Sequence, residues 1–286
     1  DHIGPGEHAD FEEYLYYKTR LLNMCRIGLV NKDDEHAEQI IKAADCELYT
    51  YSEKGKEADF SASDIRYVSQ PDFVGTEFHI SGKYDMEVRL GIPGLFNVVN
   101  ALAAVSVCSF LDLDKEKISH ALEHIRVNGR MEIVYTSERC TVLVDYAHNA
   151  VSMESLLSTL RDYKPKRLVC VFGCGGNRSK DRRYSMGEIG GKLADLSIIT
   201  ADNSRYEKVE DIIADIRGSI EKTGGSFIEI PDRREAIRYS ILQAQPGDMV
   251  AVIGKGHEDY QEINGVRHHF LDREVIEETV KELGEK

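Results

Sequence analysis

Five apolar, largely β-branched runs recur along residues 141–254: TVLVDY, RLVCVF, LSIIT, SFIEI and DMVAVIG. Between them lie four amphipathic segments of helical length, SMESLLSTLRDY, RRYSMGEIGGKLA, VEDIIADIRGSIEK and RREAIRYSILQA. Strands apolar on both faces, joined by helices, specify a parallel sheet covered on both sides, because each parallel connection needs a long crossover. The second half is therefore predicted to be a doubly wound, mostly parallel α/β fold. Beyond the last run, Asn264-Gly265 separates two extended stretches and predicts a type I′ hairpin. Asp272 is expected to cap a final helix, REVIEETVKELG.

The first half is less regular. A helix is expected from about Phe11 to Met24, then a short strand RIGLV and a helix near Glu35–Ala44. Several short strands between Cys46 and Leu90 suit a small mixed sheet, followed by two helices, LFNVVNALAAVSVCSFL and KEKISHALEHI. A length of 286 residues favours about two domains. The stretch VNGRMEI (127–133) reads as the hinge, giving domains at 1–126 and 127–286.

A formal net charge of −14 argues against a nucleic-acid partner, since phosphate-backbone binding needs a cationic face. Six cysteines without CxxC pairing, mostly inside apolar runs, read as buried thiols of a reducing, cytoplasmic protein. No apolar stretch reaches membrane-spanning length, and no leader is read at the start, so no membrane partner is expected. The opening DHIGPG reads as interior to a longer protein, and the chain is expected to be monomeric.

In an open parallel sheet, ligands bind at the carboxyl ends of the strands. Those positions hold Asp145 and His148 (DYAHN), Gly173 to Arg178 (GCGGNR), then Asp202, Asn203 and Arg205 (ADNSRYE), and Gly254 to Glu258 (GKGHE). The glycine loop followed by Arg178, Lys180, Arg182 and Arg183 has the look of an anion cradle. Yet no GK[ST] closes a phosphate loop, and Arg178 stands where GxGxxG would need glycine, so a dinucleotide dehydrogenase is the weaker reading. Acids, guanidinium groups and an amide on one rim suit a zwitterion: arginine takes a carboxylate bidentately and acids take an ammonium.

The order FNVVNALAA, NGRME, DYAHN, GCGGNRSKDRR, DNSRYE and GKGHEDYQ resembles the Mur ligases, most closely those that add the third residue of the peptidoglycan stem peptide. The resemblance implies the second part of an α/β central ATPase domain followed by the Rossmann-like domain that binds the incoming amino acid. It implies an ATP- and Mg²⁺-dependent ligase acting on UDP-MurNAc-L-Ala-D-Glu through an acyl phosphate, with meso-diaminopimelate as the added amino acid. Lys18 stands at the place of a carbamylated lysine that organises Mg²⁺, and His2 at that of a metal-proximal histidine. Asn100 matches an adenine contact; Arg130, Asp145 and His148 match ATP contacts. Arg178, Asp202, Asn203, Arg205, Gly254 and Glu258 match the pocket for the distal end of diaminopimelate, so the glycine loop is expected to hold an amino-acid carboxylate. Ser204 departs from the family's DNPR. Rival readings are a lysine-adding ligase of the same family, a folylpolyglutamate-synthetase-like ligase, which DNSR with GKGHE opposes, and, since the chain lacks the P-loop, a non-catalytic amino-acid-binding module.

Overall fold

A computed structural model describes residues 8–284. The chain forms two compact units, one from the residues up to Arg66 with Thr76–Leu90 and Leu95–Ile125, the other from Tyr67–Gly75, Gly91–Gly94 and Arg126 onward.

In the first unit, α1 (Phe11–Thr19) begins at Asp10, whose carboxylate accepts the Glu13 N–H at 2.8 Å. The helix expected to reach Met24 tightens into a 3₁₀ turn at Arg20–Asn23. Only Leu15 and Thr19 of α1 are buried, so little packing holds its last turn in α geometry. β1 (Ile27–Asn31), α2 (Ala37–Ala43), β2 (Glu47–Ser52), β3 (Phe60–Gln70), β4 (Phe73–Ser81) and β5 (Met86–Leu90) follow. The five strands form one sheet in chain order, with β1, β2 and β3 parallel and β5 antiparallel to β4. At eleven and nine residues, β3 and β4 are longer than the short strands expected. α3 (Leu95–Phe110) buries Val98, Ala101, Leu102 and Val105, one stripe at helical spacing, in a core with Phe60, Phe78, Ile80 and Val88. α4 (Lys115–His124) starts at Asp114, whose side chain accepts the N–H groups of Glu116 and Lys117.

The second unit is built on β6 (Glu132–Thr136), β7 (Cys140–Asp145), β8 (Arg167–Phe172), β9 (Leu196–Ile199), β10 (Phe227–Glu229) and β11 (Asp248–Ile253). Their order is β10-β9-β8-β11-β7-β6, all parallel except β6. The helices are α5 (Ala150–Asp162), α6 (Lys180–Leu193), α7 (Val209–Thr223), α8 (Arg233–Leu242) and α9 (Asp272–Glu282). Alternate residues of each strand enter opposite cores. Leu143, Cys170, Phe172 and Ala251 pack with Leu157, Met186 and Ile216 of α5, α6 and α7, whereas Val142, Val171 and Val252 pack with Ile237 and Ile276 of α8 and α9. Both faces are covered, as the sequence predicts. β12 (Tyr260–Ile263) and β13 (Val266–His269) form the expected hairpin, with Asn264 at φ 50° and Gly265 at φ 76°.

The cap expected at Asp272 is absent. Leu271 occupies the capping position, and Asp272 is instead fully buried in a bidentate pair with Arg233, at 2.8 and 2.7 Å. Arg233 also donates to the carbonyls of Ala201 (3.2 Å) and Ile253 (3.0 Å). A buried guanidinium needs a counter-charge more than an exposed helix end needs a cap.

Candidate functional site

In the second unit, the loops leaving β7, β8, β9 and β11 enclose a cavity of about 430 Å³, within the range of small-molecule sites. Arg178, Arg182, Arg205, Asp202, Asn203 and Glu258 line it, together with Tyr146, His148, Tyr260 and the backbone of Gly173, Gly175 and Gly254.

The glycine loop owes its composition to a neighbouring chain segment. A Cβ at Gly173 would lie 2.2 Å from the Thr200 carbonyl oxygen, and one at Gly176 would lie 1.9 Å from that of Ser204. The loops after β8 and β9 therefore touch backbone to backbone, with Gly176 N–H donating to the Asn203 carbonyl at 2.9 Å. Half of the cationic cluster is likewise structural. Arg183 is 1% exposed and pairs with Glu207 (2.8 and 2.9 Å) and Asp215 (2.9 Å), and Lys180 pairs with Asp215 at 3.1 Å. Arg178 and Arg182 line the cavity, and neither guanidinium has a hydrogen-bond or ion-pair partner among the described residues; Arg182 accepts only through its backbone carbonyl, from the Ser185 hydroxyl at 3.2 Å.

Arg205 adopts the left-handed conformation at φ 51°, which a non-glycine residue holds only under constraint. The hairpin supplies that constraint: Arg205 N–H donates to Glu262 O at 3.0 Å, and Asn264 N–H donates to Arg205 O at 2.6 Å. Arg205 Nη1 donates to Gly176 O at 2.7 Å, and Nε lies 3.6 Å from Glu262 Oε2. Asp202 accepts Asn203 N–H on Oδ1 at 2.5 Å, while its Oδ2 faces Gly254, where a Cβ would sit 2.8 Å away. Gly254 is at φ 112°, so both its backbone and its contact call for glycine.

Glu258 Oε2 accepts from Asn203 Nδ2 (3.0 Å) and Lys255 Nζ (3.2 Å), and Tyr146 OH lies 3.4 Å from Oε1. The pocket also contains Cys174, whose thiol burial pushes up to about 12, so it stays protonated and is no nucleophile near neutrality.

Asp145 is buried, accepting the N–H of Met131 on Oδ2 and that of Ala147 on Oδ1, each at 2.7 Å. Burial pushes its carboxyl up, against the downward pull of these amides and of Arg130. Arg130 is exposed and lies 5.0 Å over the Tyr146 ring. His148 Nδ1 is 2.9 Å from the Tyr146 carbonyl oxygen.

In the first unit, Asn100 is exposed on α3, its Nδ2 3.4 Å from Asn97 Oδ1. Lys18 is exposed at the end of α1, with Nζ 5.4 Å from the Tyr14 ring centroid. His2 lies outside the described residues. Among the described residues, no three His, Cys, Asp or Glu side chains converge as a metal site. Nor is any described helix long and apolar enough to cross a membrane.

The structure thus brings together Arg178, Asp202, Asn203, Arg205, Gly254, Glu258 and His148, and adds Tyr146, Arg182 and Lys255. Lys255 was visible in GKGHE, but nothing in the motif says that its side chain turns inward. Arg182 could be told from Arg183 only by helical phase, one turning outward to the pocket and the other to the core.

Residues 1–108 match the family model for the Mur ligase middle domain, and residues 129–256 that for the Mur ligase glutamate ligase domain. A UDP-N-acetylmuramoyl-L-alanyl-D-glutamate–2,6-diaminopimelate ligase 2 from Clostridium acetobutylicum is 40% identical over 279 residues, covering 97% of this chain and 56% of the relative. The corresponding ligase of Trichormus variabilis is 40% identical over 274 residues, 93% of this chain and 54% of the relative. A solved structure of a ligase of the same name superposes with a TM-score of 0.78 at 34% identity, covering 99% of this chain and 59% of that one. The chain spans about half the length of the curated relatives it matches.

Proposed function

Because this chain belongs to the Mur ligase family, whose members are ATP-dependent ligases, we propose that it serves in adding meso-diaminopimelate to UDP-MurNAc-L-Ala-D-Glu during peptidoglycan precursor synthesis. The second unit receives the amino acid. The observation that carries this reading is the cavity in which Arg178 and Arg182 face the ligand space unpaired beside Asp202 and Glu258. Arg178 and Arg205 take the distal carboxylate, and Asp202 with Glu258 takes the ammonium on the same carbon. In the whole reaction ATP converts the D-glutamate carboxylate to an acyl phosphate, the amine of the bound amino acid attacks, and phosphate departs. The pocket's part is to hold the amino acid by its far end, leaving the near amine free to react. The roles of Asn100, Arg130, Asp145 and His148 toward ATP rest on the family resemblance. So do those of Lys18 and His2 toward Mg²⁺; among the described residues no His, Cys, Asp or Glu cluster assembles a metal site.

Calorimetric titration of the chain with meso-diaminopimelate and with L-lysine tests the reading. Lysine lacks the distal carboxylate, leaving Arg178 unmatched and Arg205 with only its partners within the protein, so it is expected to bind at least about tenfold more weakly. Arg205→Ala should shrink that difference. Equal affinities in the unsubstituted chain would refute the assignment.

A further inference from the structure

Lys255 sits in the loop after β11, and its side chain is completely buried. Lysine has three ammonium protons, and three acceptors meet them: Asn203 Oδ1 at 3.3 Å, Glu258 Oε2 at 3.2 Å and the Tyr260 carbonyl. A buried ammonium so satisfied is fixed, and it fixes the partners that it bridges.

The consequences at those partners are specific. Asn203 Oδ1 faces two donors, Lys255 Nζ and the Glu262 N–H at 2.9 Å, so the amide can stand only with its oxygen inward. Its NH₂ then donates one proton to Glu258 and keeps the other, making Asn203 a donor toward any ligand. Glu258 has Oε2 occupied twice, by Lys255 and by Asn203, whereas Oε1 has only the long Tyr146 contact. Oε1 is therefore the acceptor left for a ligand.

Building on the proposed diamino-acid site, we infer that Lys255 is a positioning residue that sets the polarity of the pocket. It assigns Asn203 to the ligand's carboxylate and Glu258 Oε1 to its ammonium, without touching the ligand. A site polarised in this way distinguishes the two charged groups on one carbon, which arginines and carboxylates on mobile side chains would do less well.

The test compares meso-diaminopimelate with L-2-aminopimelate, which keeps both carboxylates and lacks the distal ammonium, by calorimetry on the full chain. The unsubstituted chain is expected to prefer meso-diaminopimelate by about tenfold or more, as for a charge-assisted hydrogen bond. In Lys255→Met, Glu258 Oε2 loses one of its two donors and the Asn203 amide loses the cation that helps to fix its orientation, so meso-diaminopimelate should weaken by about tenfold while 2-aminopimelate changes far less. A lysine that merely stabilised the fold would weaken both alike. Unchanged or tighter binding of meso-diaminopimelate by Lys255→Met would overturn the inference. Glu258→Gln gives a second reading that does not depend on how Lys255→Met folds. With Lys255 in place, the carbonyl of the introduced amide must face Lys255 and Asn203, and its NH₂ must face the ligand, so the preference for the ammonium should vanish or invert. A preference retained at the original ratio would mean that the amide turns freely and that Lys255 does not set it. If the unsubstituted chain binds neither compound, the proposed function fails and this inference with it. Binding by the unsubstituted chain combined with either contrary variant result would sink only the role of Lys255.

Discussion

Replacing Arg233 with methionine removes a cation from a site where neither partner reaches solvent. Asp272 would be left as a buried carboxylate without its two donors, a loss of about 3–5 kcal/mol for breaking a buried pair from one side. The Ala201 and Ile253 carbonyls lose donors as well, each adding about 1 kcal/mol. The sum, about 5–7 kcal/mol, rivals the whole stability of an ordinary domain. Arg233→Met/Asp272→Leu removes both charges and should recover most of the loss, since apolar replacement of a buried pair is often neutral within about 2 kcal/mol. The chain has no tryptophan, so urea unfolding is best followed by far-ultraviolet circular dichroism. A cost below about 1 kcal/mol for Arg233→Met, or a double variant as unstable as the sum of the singles, would refute the reasoning.

Two glycines make a matched pair. Gly176→Ala drives a methyl onto the Ser204 backbone and should both lower the unfolding midpoint and abolish diaminopimelate binding, whereas Gly218→Ala, in helix α7 with open space around it, should stabilise by about 0.5–1 kcal/mol. Equal effects of the two on urea midpoints would show that the packing of the two loops is unimportant. At Asp195 burial acts to raise the carboxyl, but hydrogen bonds from Arg161 and the Leu168 N–H outweigh it and hold the carboxyl below its usual 3.8. That contribution is complete above 3.8 and is lost as pH falls through the lower folded value. The deficit of Asp195→Asn against the unsubstituted chain should therefore be full at neutral pH and close in acid below 3.8; a deficit that persists there would contradict the assignment.

The strands and helices of the second unit were legible because their periodicities are local: each apolar run is a strand's length, and Asn264-Gly265 carries its own φ preference. The rim was legible for a topological reason, since strand ends of a parallel sheet point to one edge. What escaped the sequence depends on partners far along the chain. Asp272 reads as a cap until Arg233, 39 positions away, comes to face it. Gly173 and Gly176 read as an anion cradle until the backbone after β9 is found pressed against them. Lys255 was placed on the rim by GKGHE, but its burial could not be read there, because burial of an ammonium is decided by acceptors such as Asn203, 52 positions away. At α1, the run of helix-favouring residues past Thr19 hides how little of that segment is buried.

The strand order has a consequence for how the protein is made. β11 lies between β7 and β8, pairing Asp248–Ile253 with Cys140–Asp145 on one side and Asp248–Val252 with Arg167–Val171 on the other, yet it is the last of the six to be synthesised. A nascent chain that has emerged only as far as β10 holds β7 and β8 with two facing rows of unmatched amides and carbonyls. It also lacks Gly254, Lys255 and Glu258. Closure of the sheet and completion of the pocket's lining thus come together, and a ribosome-stalled intermediate would lack that lining and would offer an open slot to any strand, or chaperone, able to fill it.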